Sequence, residues 1–132
     1  MKKNLTSVKH FELFKKEALL WIDRLGLKDW QVRFFHEDDT DLGNCRAWFH
    51  ADFSNKISSL GLARSWGDDP VSNQRVKRSG FHEVVHLLLA NLVILGQERW
   101  SVQGVYETEE HVIVRRMENA FYGPESKDKA KV

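Results

Sequence analysis

The residues best suited to chemistry are five consecutive ones, His82-Glu83-Val84-Val85-His86. Residues four apart on an α-helix lie one above the other, so His82 and His86 present two imidazoles to the same point. Imidazole is a common zinc ligand, and two from one helical turn supply half of a tetrahedral site. Glu83 cannot aim at that same point, which leaves its carboxylate to hold a water and take its proton. The spacing predicts metal-assisted hydrolysis with Zn2+ as cofactor, His82 and His86 as ligands and Glu83 as general base.

The chain's histidine and glutamate content would produce such a string by chance about two times in a hundred. The flanking residues weigh against chance. Phe81, Val84, Val85, Leu88, Leu92 and Leu95 form an apolar stripe. The histidine side continues into Leu89, Ala90 and Val93, which places the pair at the edge of a core. A buried imidazole pair needs polar partners, and a metal supplies one.

A catalytic zinc takes three protein ligands plus water. The third is sought among Glu107, Glu109, Glu110 and His111, which cluster at the start of a later helix. Counting back from Ile113, Val114, Met117 and Phe121 as its buried face, Glu110 lies one turn earlier on that face. Glu109 and His111 fall about 100° to either side. Glu110 is the expected third ligand, ahead of Glu109 and then His111. The other acidic residues read as a first turn that complements the helix dipole. Tyr106 and His111 are weaker candidates as donors to a developing oxyanion. His50 reads as a surface or satisfied histidine, His10 and His36 belong to no constellation, and Cys45 reads as a small buried residue.

Positioning these residues requires an α+β domain. The chain's 132 residues fit one core, expected over 1–123, with 124–132 a polar tail expected to be disordered. Val8, Phe11, Phe14, Ala18, Leu19, Ile22 and Leu25 recur at helical spacing, predicting a first helix over about 7–25. Alternating residues predict strands at 30–36, 45–53 and 56–66, the second with Ala47, Phe49, Ala51 and Phe53 on one face. An acidic loop at 37–43 and a turn at 54–56 make these a three-stranded antiparallel meander. Asp69 and Pro70 suit the start of the motif helix, Gly96 its end, and 97–106 a loop. A C-terminal helix is expected over 107–122, ended by Gly123-Pro124.

A net charge of +1 provides no whole-molecule field to draw in nucleic acid or an anionic membrane. The single cysteine cannot form an internal disulfide, and charges interrupt any signal-like N-terminus, so a cytoplasmic setting is expected. The apolar run at 84–95 is too short to cross a bilayer, so no membrane association is expected. Arg75, Lys77 and Arg78, with Arg64 nearby, read first as a solvated helix face and second as a nucleic-acid contact.

Over residues 78–121 the chain resembles a minimal zincin of the gluzincin type: His82, Glu83 and His86 on one helix and a Glu on the next. More narrowly, HEVVHLLL followed by a short loop and a Glu-Glu helix start resembles small metallopeptidases encoded by phages and prophages. The resemblance implies hydrolysis of a peptide or protein substrate, with Glu110 as third ligand. It also implies that strand 56–66 borders the cleft and can pair with an extended peptide. Likeness to the SprT-like metallopeptidases is what makes nucleic-acid contact plausible by analogy. No Gly-x-x-His follows His86, which departs from the metzincin pattern, and no second domain forms a far wall. The competing class is a non-catalytic zinc module that binds protein or nucleic acid, and an amidase would use the same site. The intact Glu83 favours a hydrolase.

Overall fold

A computed structural model describes residues 4–39, 45–97 and 103–123, with the side chains of 91, 95, 97, 103–106 and 109 excepted. The end of the acidic loop, the segment around Trp100 and the tail 124–132 lie outside the described residues. Two compact units result, Met1–Leu88 and Leu89–Val132.

The first unit opens with α1 (Val8–Arg24). Ser7 caps it: the Ser7 hydroxyl accepts from the His10 amide at 3.2 Å, and His10 Nδ1 accepts from the Ser7 amide at 3.0 Å. Its buried side is Phe14, Ala18, Trp21 and Ile22, whereas Val8 and Leu19 of the expected stripe face solvent. Three strands follow, β1 (Gln31–His36), β2 (Ala47–Asp52) and β3 (Ile57–Leu62).

The sheet is mixed, with order β1-β3-β2: β2 pairs antiparallel with β3, but β1 pairs parallel with it. The antiparallel meander is thereby corrected, and the reason is burial. β3 carries Ser58, Leu60, Gly61 and Leu62, all buried, so it takes the centre, covered on both faces. β2 follows β1 in sequence but pairs with the far edge of β3, so no hairpin joins β1 to β2. β3 also ends sooner than expected, because residues after Leu62 turn to meet the N-terminal segment. There the Thr6 amide donates to the Arg64 carbonyl and the Trp66 amide to the Asn4 carbonyl.

Register puts Phe34, Leu60 and Phe49 side by side on one face, and Phe35, Gly61 and Trp48 on the other. Phe34 meets Phe14 of α1 edge to face, 6.4 Å between centroids, which marks the first face as the core side. On the second face the Trp48 indole lies directly over Gly61, where any Cβ would fall inside the ring. Trp48 Nε1 donates to the Glu37 carbonyl at 2.9 Å, and its ring stacks on Phe35.

The motif helix α2 (Asn73–Gln97) starts later than Pro70. Ser72 Oγ accepts from the Arg75 amide at 3.2 Å and serves as the cap. Asp69, the expected cap, is taken by Arg46 at 3.2 Å. Gly96 does not stop the helix. The buried side runs through Val76, Phe81, Val84, Val85, Leu87 and Ala90, while Leu88 and Leu92 of the expected stripe are exposed. Gly80 allows close approach to α1, since a Cβ there would stand 3.0 Å from the Phe14 carbonyl oxygen. Arg75 and Arg78 are 2% and 4% exposed, so the solvated basic face expected there does not exist.

The second unit contains the end of α2 and α3 (Gln103–Tyr122), which begins before Glu107. Val114 and Glu118 are its buried residues, while Ile113 and Phe121 are exposed. No helix among the described residues is long and apolar enough to cross a membrane.

Candidate metal centre

His82 and His86 stand one turn apart on α2, half-buried, with ring centroids 4.9 Å apart and planes inclined by 56°. Helical spacing alone puts the rings on one side. Sheet packing adds a second constraint: Phe49 of β2 lies parallel to the His86 ring, 6.0 Å between centroids and 17° between planes. Edge strand β2 thus borders the motif. Strand β3 has both its edges paired within the sheet, which corrects the expectation that it could receive a peptide.

Glu83 is 6% exposed and belongs to the core margin, not to an open edge. Burial pushes the Cys45 thiol up from its ordinary value, and the Glu83 carboxylate adds to the rise. Cys45 is therefore held as a thiol.

On α3, His111 Nδ1 lies 3.0 Å from the Glu107 carbonyl oxygen. A carbonyl can only accept, so Nδ1 carries the proton and Nε2 keeps its lone pair, the tautomer that metal-binding histidines commonly show. Two imidazoles one turn apart on α2, with a buried carboxylate between them in sequence, suit zinc chemically.

Glu110, the expected third ligand, is half-buried on α3, and His111 beside it is exposed. With Val114 and Glu118 inside and Ile113 and Phe121 outside, the buried direction of α3 turns by roughly 70° toward His111 at 100° per residue. The side chains of Glu109 and Tyr106 lie outside the described ones.

The remaining histidines have structural partners. His10 completes the α1 cap. His50 Nε2 is 2.7 Å from Asp39 Oδ2 on the sheet face away from His86. The His36 ring stacks on Phe11, 5.1 Å between centroids, with Nε2 2.8 Å from Thr6 Oγ1. Burial and, after it, the Arg64 charge hold His36 below its ordinary pKa. Phe49 is a neighbour of His86 that the sequence does not single out as part of a site. Its place on the apolar face of the second strand was its only signal. No protein-family description, curated protein or solved structure matches this chain.

Proposed function

We propose that the protein is a zinc-dependent hydrolase, a metallopeptidase of the minimal zincin type, with His82 and His86 holding the metal, Glu83 as general base and His111 of α3, whose Nδ1 is engaged by the Glu107 carbonyl, as third ligand. The His82 and His86 rings, one turn apart on α2 with centroids 4.9 Å apart and the buried Glu83 between them in sequence, carry this proposal. A set of three protein ligands that keeps a fourth position open suits catalysis better than a closed structural site. Zinc, when bound, supplies Lewis acidity that polarises a carbonyl and lets a water ionise near neutral pH.

The chain's own residues supply the rest. Glu83, next to His82 on α2, is the carboxylate beside the proposed ligands. An ionised carboxylate can take a proton from the attacking water and hand it to the leaving amine. Burial of Glu83 strengthens these interactions by lowering the local dielectric. β2 is the edge strand beside His86 through Phe49, where an extended peptide would add by main-chain hydrogen bonds. A single cysteine is compatible with action in the reducing cytoplasm.

The test is Glu83→Gln assayed on a fluorescently quenched casein substrate. The variant should keep its zinc and lose turnover by about 100-fold or more. Undiminished turnover by a zinc-loaded Glu83→Gln protein would remove Glu83 from the mechanism.

A further inference from the structure

We infer that Phe49 is a positioning residue for the metal ligand His86, an inference that rests on the zinc site proposed above. The terminal torsion of a histidine is broad, so a half-buried imidazole on a helix can swing its lone pair away from a metal. Metal-binding histidines are usually held by a partner on the second ring nitrogen. At His86 the structure adds a flat wall: the Phe49 ring, 17° from parallel and 6.0 Å away between centroids, in the offset arrangement aromatic pairs favour. The His82 ring is a second neighbour of His86, 4.9 Å away and inclined by 56°.

The wall is rigid because of where Phe49 stands. Its Cα pairs with Leu60 of the central strand, and Leu60 is fully buried. Phe49 itself is only half-buried, at the sheet edge. An edge site that served packing alone would accept any apolar group of similar size, whereas holding an imidazole plane requires a ring.

Phe49→Leu keeps apolar volume and loses the flat face, and Phe49→Tyr keeps it. Zinc affinity is read by competition with a chromophoric chelator, ligand geometry by the visible spectrum of the cobalt-substituted protein, and metal-free stability by urea unfolding. Phe49→Leu should bind zinc about tenfold more weakly, the low end for partners that orient ligands. Its cobalt spectrum should change while its metal-free urea midpoint stays at the wild-type value, and Phe49→Tyr should restore both metal readouts. If Phe49→Leu unfolds without metal, Phe49→Met carries the same expectations. Zinc uptake by wild type and Phe49→Leu with equal affinity and equal spectra would overturn the inference alone. Failure of the wild-type protein to take up zinc would overturn the metal site and the inference together.

Discussion

Replacing His111 by Ala and, separately, Glu110 by Ala distinguishes a three-imidazole centre from one with a carboxylate ligand. His111 is exposed and its ring meets the Glu107 carbonyl of its own helix turn, so its loss should cost the metal-free fold little. Structural zinc sites release about 10–16 kcal/mol over four ligands, or about 3 kcal/mol for each. Losing one ligand should then weaken binding by about 100-fold or more. At free zinc equal to 100 times the wild-type Kd, wild type gains about 2.7 kcal/mol and the His111→Ala protein about 0.4 kcal/mol. For a chain of this length that is a zinc-induced rise in Tm of about 10 °C against about 2 °C. Calorimetry with and without zinc reads both values, and Glu110→Ala should keep the larger one. A full shift in His111→Ala, with none in Glu110→Ala, would refute the three-imidazole set.

Gly61→Ala should destabilise by about 3 kcal/mol, the lower end for losing a large buried aromatic, because the new Cβ must expel the Trp48 indole. At a urea slope of about 2 kcal/mol/M the midpoint should fall by about 1.5 M, and an unchanged midpoint would contradict the close packing. His36 gives the fold an acid sensitivity of definite sign. Its pKa is lowered in the folded state from 6.5, so the unfolded chain takes up the proton first. This contribution to stability is complete above about pH 6.5 and is lost as pH falls toward the folded value. His36→Gln should flatten that part of the stability profile, and an unchanged pH dependence would exclude His36 as its source.

Local periodicity made α1 and the histidine pair legible, because both depend on residues three and four apart. The direction of β1 did not show in the sequence: alternation is the same in parallel and antiparallel strands, and only burial of β3 on both faces sets the order. Asp69-Pro70 is a sound local start signal, but Arg46, from before β2, claims the Asp69 carboxylate and Ser72 caps instead. Faces were misjudged wherever charge goes inside. Arg75 and Arg78 are buried, contrary to what their type suggests, and the expected basic patch goes with them. Glu118 does the same on α3, turning its buried side away from Ile113 and Phe121. Two of the proposed ligands are read from one helix, because residues four apart share a face of it.

The central claim is tested most directly by the metal content of the protein purified without chelators. One equivalent of zinc is predicted for wild type, falling to a small fraction in His82→Ala. Less than about half an equivalent in wild type, unchanged by His82→Ala, would contradict the account, since a site with Kd far below the protein concentration fills nearly stoichiometrically.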